Sequence, residues 1–101
     1  MCGIVSTINH SDEVVVDMLQ QIEHRGKDNR GIYESGNVHL GHNRLSINDV
    51  SEAGNQPFVF DDYALVVNGE IWNYPQLRKE YEERGYKFFS NSDSEIILYL
   101  Y

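Results

Sequence analysis

Two periods of apolar and polar residues run through this chain, and the changes between them mark its elements. Residues 4–8 hold Ile4, Val5 and Ile8 in a short apolar run that predicts a strand. Val15, Met18, Leu19 and Ile22 then recur at i, i+3, i+4 and i+7, one face of a helix that Ser11 or Asp12 caps and Gly26 ends. The valines at 14–16 weaken that helix locally, because β-branched side chains lose rotamer freedom there. Residues 24–31 are polar with a glycine near each end and predict a loop. Residues 31–33 and 38–41 flank Glu34-Ser35-Gly36-Asn37 as a hairpin. Leu45-Ser46-Ile47 alternates and predicts a strand, and residues 49–57 an ordered loop. Residues 58–60 and 63–67 form a second predicted hairpin around Asp61-Asp62.

Asn73 can cap a helix with Pro75 in its first turn, where proline is tolerated. That helix runs to about Arg84, and Gly85 terminates it. Residues 86–89 predict a further strand. Ser92 and Glu95 have capping-box spacing ahead of Ile96, Ile97, Leu98 and Leu100. The order β-α-β-β-β-β-β-α-β-α implies an α+β layered fold with mainly antiparallel strands.

With 101 residues the chain allows one small domain. Its 41% hydrophobic and 12% aromatic content suits a folded chain. A net charge of −8 argues against nucleic-acid and anionic-membrane partners, which need basic surface. The single cysteine excludes an intrachain disulfide and a thiolate metal cluster, and no metal is expected. No signal peptide or membrane-spanning run is legible, so the expected location is cytoplasmic, where a thiol stays reduced.

That cysteine is Cys2, directly after Met1. Removal of Met1 would leave a nucleophilic thiol and a basic α-amine on one residue, an arrangement used in nucleophilic catalysis. By itself, a free cysteine more often packs as a small apolar residue. Asn68-Gly69 offers a side-chain amide and a backbone N–H that could converge on an oxyanion, although Asn-Gly is also the commonest hairpin turn. Arg44 lies between apolar neighbours and could bind a carboxylate bidentately, or form a surface salt bridge. Glu70 and Asp93 could accept from an ammonium group, or be a solvated charge and a capping residue.

Six stretches, taken in order, carry a specific resemblance: Met1-Cys2-Gly3-Ile4, His24-Arg25-Gly26-Lys27-Asp28, Leu40-Gly41-His42-Asn43-Arg44-Leu45-Ser46-Ile47, Ser51-Glu52-Ala53-Gly54-Asn55-Gln56-Pro57, Val67-Asn68-Gly69-Glu70-Ile71-Trp72-Asn73-Tyr74 and Ser92-Asp93-Ser94-Glu95. Together they resemble the glutamine-hydrolysing domain of class II, N-terminal-nucleophile amidotransferases, most closely that of glutamine-hydrolysing asparagine synthetases. The resemblance implies an αββα sandwich of two antiparallel sheets, represented here by its N-terminal part. It implies Cys2 as nucleophile and Asn68 with the Gly69 N–H as oxyanion hole. Arg44, with backbone groups of Leu45, Ser46, Ile47 and Asn48, would hold the glutamine α-carboxylate. Glu70 and Asp93 would hold its α-ammonium. The thiolate would attack the side-chain amide, ammonia would leave with a proton from the α-amine, and water would hydrolyse the thioester.

The resemblance implies no cofactor for residues 1–101; ATP and Mg would belong to a partner synthetase domain. The expected partners are L-glutamine and that synthetase domain, or the remaining part of a glutaminase domain incomplete at its C-terminus. Residues 1–101 alone are therefore expected to be marginally stable and weakly active. Lys27 stands where the family usually has proline, and Trp72 where Tyr or Phe is commoner. The family's domain is considerably longer, and no Ser-Gly-Gly-rich pyrophosphate loop is present. Two other functions are compatible with the same residues: a catalytically silent glutamine-binding or interaction module, and an N-terminal-nucleophile amidase acting on another amide. The paired sites for carboxylate and ammonium argue against the last.

Overall fold

A computed structural model describes residues 1–47 and 49–101. The chain is α+β with two antiparallel sheets. Strands β1 (Gly3–Ile8), β2 (Asn29–Ser35) and β3 (Val38–Arg44) form a three-stranded sheet in the order β1-β3-β2. Strands β4 (Phe58–Phe60) and β5 (Tyr63–Leu65) form a hairpin sheet. Helix α1 (Asp12–Gln21) follows β1, and a 3-10 turn at Glu23–Arg25 leads back towards β2. Helix α2 (Tyr74–Glu83) and the short helix α3 (Ile96–Leu100) come after the hairpin.

The sheet face that meets α1 follows from the period-2 alternation of β1, whose Gly3, Val5 and Thr7 are buried. Val5, Val15 and Leu19 form the apolar core, with Ile22 packed against it. Each such side chain contributes roughly 1.5–3 kcal/mol when fully buried. Gly41 pairs with Val5 in register, and a Cβ there would lie 2.6 Å from Val5 Cγ2 and 2.9 Å from Leu19 Cδ1, so the missing side chain lets α1 sit close. Met18, the fourth residue of the predicted face, stays at the exposed edge. Ser11 is the N-cap by position, without a side-chain capping bond. The opposite sheet face carries His42, beside its register partner Gly31. A Cβ on Gly31 would collide with the Gln56 carbonyl, so the segment entering β4 lies directly on this face.

Helix α2 ends as expected at Gly85, which adopts φ +96°. The Gly85 N–H donates to the Glu82 carbonyl and the Tyr86 N–H to the Tyr81 carbonyl, a Schellman motif. The Asn73 side chain makes no capping bond.

Three expected elements differ. The first hairpin is longer than the apolar pattern implied, reaching from Asn29 to Arg44, so the predicted strand at Leu45–Ile47 does not form. There the Ser46 N–H donates to the Asp28 carboxylate, not to a ladder. Strand β5 stops at Leu65, because both backbone groups of Val67 are taken by side chains. Residues 86–89 are not a strand; the Phe89 and Ser90 N–H groups donate to the Glu95 carboxylate. That carboxylate therefore does not reach back to Ser92, and the capping box is replaced by the Ser94 N–H donating to Ser92 Oγ ahead of a 3-10 turn at Asp93–Glu95.

Candidate active site

The end of β1 where the chain begins, the end of β3 and the loops around residues 49–56, 67–70 and 92–94 enclose one cavity of about 330 Å³. That volume lies in the range of small-molecule sites. Cys2, Arg44, Leu45, Ile47, Asn68, Gly69, Glu70 and Asp93 all line it. Stretches up to 91 positions apart in sequence thus meet at one place. Ser46 instead lines a neighbouring hollow with Asp28 and Asn55. Asn48, expected among the carboxylate-binding groups, lies outside the described residues.

Cys2 is held from both sides. Its carbonyl accepts from Arg25 Nε at 2.9 Å. Its Sγ accepts from the Leu45 N–H at 3.3 Å and approaches the Leu45 carbonyl at 3.6 Å. The thiol is only partly buried, at the cavity wall. Met1 is 69% exposed, which leaves the bond before Cys2 accessible.

Arg44 is buried, at 6% exposure, which excludes the surface salt bridge. Its Nη1 donates to the Ser51 carbonyl at 2.6 Å and Asn55 Oδ1 at 2.8 Å. Among the described residues no carboxylate lies within salt-bridge distance of it. Gly54 makes room for the guanidinium, since a Cβ there would fall 2.4 Å from Arg44 Nη2. A buried cation with neutral anchors and an open cavity beside it suits an incoming carboxylate. Asp49 feels its charge, but directs its own oxygens to the Ser51 hydroxyl and to the N–H groups of Ser51 and Asn91. Those hydrogen bonds, Ser51 first, hold the Asp49 carboxyl below the usual carboxylate range against the opposing effect of burial.

Asn68 and Gly69 lie outside β5, and Gly69 has no positive φ. The type I′ turn that Asn-Gly most often marks is therefore not what this dipeptide forms here. Asp93, which also lines the cavity and is 6% exposed, accepts from the Ile71 N–H at 2.7 Å. Glu70 is exposed and makes no hydrogen bond or ion pair among the described residues. Three acidic residues, Asp49, Glu70 and Asp93, therefore share the cavity wall with one guanidinium and a thiol.

The pattern of apolar residues did not single out His42, which is fully buried and also lines the cavity. Its parity with Arg44 on one strand face would have marked it, had the strand been followed past Gly41 to Arg44. Burial holds the imidazole below its usual value; the hydrogen bond to Val67 opposes this, and the Arg44 charge adds to it. Arg25 and Gln56 lie in polar loops that carry no periodic signal, so no local pattern marks them.

Among the described residues one group, Asp12, Glu34 and His39, brings three possible metal-ligand atoms within 4.8 Å. It sits at the start of β3, away from Cys2, and His39 Nε2 already bonds Asp12 Oδ1 at 2.6 Å.

A partly exposed thiol, the Asn68-Gly69 dipeptide, a buried guanidinium and three carboxylates thus line one cavity. The glutamine amidotransferase domain family matches residues 1–101, and the chain belongs to it. It is 41% identical to asparagine synthetase [glutamine-hydrolyzing] 1 of Bacillus subtilis and 42% identical to asparagine synthetase B [glutamine-hydrolyzing] of Escherichia coli. It is also 40% identical to amidase chry2 of Gibberella zeae. Each match covers all of this chain but only 17%, 19% and 18%, respectively, of the relative. No helix among the described residues is long and apolar enough to cross a membrane.

Proposed function

We propose that this domain hydrolyses L-glutamine to glutamate and ammonia through a cysteinyl thioester. The observation that carries the reading is the single cavity shared by Cys2, Arg44, Asn68, Gly69, Glu70 and Asp93. Removal of Met1 frees the Cys2 α-amine, which takes the thiol proton. The thiolate attacks the side-chain amide carbon of glutamine. The oxygen that gains negative charge is met by the Asn68 amide and the Gly69 N–H. Collapse breaks the C–N bond, the α-ammonium gives its proton to the leaving nitrogen, and ammonia departs. Water then adds to the thioester, releasing glutamate and restoring the thiol. Arg44 holds the α-carboxylate, and Glu70 and Asp93 the α-ammonium, so a free amino acid is preferred over a peptide. No cofactor takes part in these steps.

We further propose a larger cytoplasmic assembly, in which the ammonia passes to an ATP- and Mg-dependent synthetase domain that amidates aspartate; what supports the presence of such a domain is that the chain spans only 17–19% of the asparagine synthetases it matches. The test is Cys2→Ser in the full-length protein, with glutamate release and glutamine binding measured together. The expected result is loss of hydrolysis with binding kept; near-normal release would reject the nucleophile. N-terminal sequencing separates this reading from a silent glutamine-binding domain, because a retained Met1 leaves Cys2 without its base.

A further inference from the structure

Asn68 and Gly69 have no ladder to hold them, since β5 ends at Leu65. The residue before them, Val67, is nevertheless bonded on both sides. Its N–H donates to Gln56 Oε1 at 2.6 Å, and its carbonyl accepts from His42 Nε2 at 3.2 Å. These are the partners a neighbouring strand would supply, delivered instead by two side chains from separate segments. Both are anchored: His42 is fully buried in the central strand β3, and Gln56 is 7% exposed against Gly31. A carbonyl can only accept, so His42 Nε2 must carry the proton. Burial disfavours a second one, which leaves Nδ1 bare and, among the described residues, without a partner. The Val67 carbonyl belongs to the same rigid peptide plane as the Asn68 nitrogen. Fixing that carbonyl therefore fixes the plane from which Asn68 departs, and Gln56 fixes the plane before it.

We propose that Gln56 and His42 act as positioning residues for glutamine hydrolysis, clamping Val67 so that the Asn68 amide and the Gly69 N–H meet the same developing oxyanion. This rests on the oxyanion-hole reading of Asn68 and Gly69 given above. Neither side chain has to touch the reacting atoms. Their effect comes through geometry, where a displacement of about 1 Å costs on the order of 10²-fold in rate. Because the α-carboxylate and α-ammonium are held elsewhere, by Arg44, Glu70 and Asp93, loss of the clamp acts on turnover and spares binding.

The test uses the full-length protein and steady-state glutamine hydrolysis, with thermal unfolding run beside it. Gln56→Met and His42→Met remove the acceptor and the donor at nearly constant volume. Each is expected to lower kcat by about 10–100-fold while KM moves less than about threefold. Gln56→Glu keeps an oxygen acceptor, and His42→Gln keeps a donor near the Nε2 position; both are expected to recover most of the lost kcat. Should the methionine variants unfold, Gln56→Ser and His42→Asn, which break the contact and admit water, take their place. In an Asn68→Ala background, adding Gln56→Met is expected to cost much less than it does in the parent, because the two act through one group. The clamp is overturned if its loss leaves kcat unchanged, raises KM alone, or costs the same factor in both backgrounds. If Asn68→Ala by itself leaves kcat intact, the oxyanion-hole reading falls instead.

Discussion

Val5, Val15, Leu19 and Ile22 hold α1 to the sheet largely by apolar contact, whereas the cavity rim is held by polar side chains that reach other segments. At the rim Asp49 takes the Ser51 and Asn91 N–H groups, Gln56 the Val67 N–H, and Asp93 the Ile71 N–H, while Asp28 takes the Ser46 N–H in the neighbouring hollow. Fully buried Glu95 takes those of Phe89 and Ser90, and the Ser90 and Tyr99 hydroxyls as well. The difference lies in what each half must satisfy. In the sheet, backbone groups pair with one another and side chains are free to be apolar. In loops that must bend around a ligand, backbone donors have no ladder and would be costly to bury unpaired. Carboxylates supply several acceptors each. Part of the acidic excess that argued against nucleic-acid partners is thus the scaffold of the site.

That contrast can be broken most sharply where the chemistry is separated from the scaffold. Asn68 makes no hydrogen bond among the described residues, so Asn68→Ala in the full-length protein is expected to lower kcat by about 10²–10³-fold with little change in melting temperature. Equal losses in stability and turnover would mean that Asn68 is scaffold too. On the apolar side, Leu19→Ala is expected to cost about 2–5 kcal/mol in denaturant unfolding while kcat per folded molecule stays constant. A matching fall in kcat would show that the two halves are coupled through β3.

Glu95→Gln probes the rim. It replaces one acceptor oxygen by a donor that faces the N–H groups of Phe89 and Ser90, and is expected to cost about 1–3 kcal/mol. Because Ser92, Asp93 and Ser94 line the cavity just before it, KM for glutamine is expected to rise about tenfold, measured by initial rates. The same substitution pulls on Tyr99, whose hydroxyl burial and the Glu95 charge push up to about 12.

The smallest effect expected is the acid response of Asp49. Its folded value lies below the ordinary 3.8, so the carboxylate is stabilised by folding. The contribution is complete above the unfolded value and is lost as pH falls through the folded one. Asp49→Asn should therefore unfold about 1–2 kcal/mol more easily than the parent between pH 5 and 7, with the gap closing below roughly pH 4. A gap that does not narrow at all as pH falls below 3.8 would assign the loss to packing instead of charge.

What the chain determined by itself was whatever repeats with a short period or rests on one residue's special conformation. The helix face of Val15, Leu19 and Ile22, the antiparallel hairpins and the stop at Gly85 were legible, because each depends on neighbours within a few positions. The six stretches marked the family, and with it the candidate site residues, but not their contacts. Tertiary structure decided where strands ended and which polar groups met. Leu45–Ile47 alternates like a strand and residues 86–89 are predicted as one, yet the carboxylates of Asp28 and Glu95 claim backbone donors within them or beside them. Val66 and Val67 have β-branched side chains suited to a strand, yet Gln56 and His42 take the Val67 backbone out of the ladder. Such competition between a distant side chain and a local backbone partner is settled only when the segments are brought together, because its energy lies in long-range contacts that a local pattern does not encode.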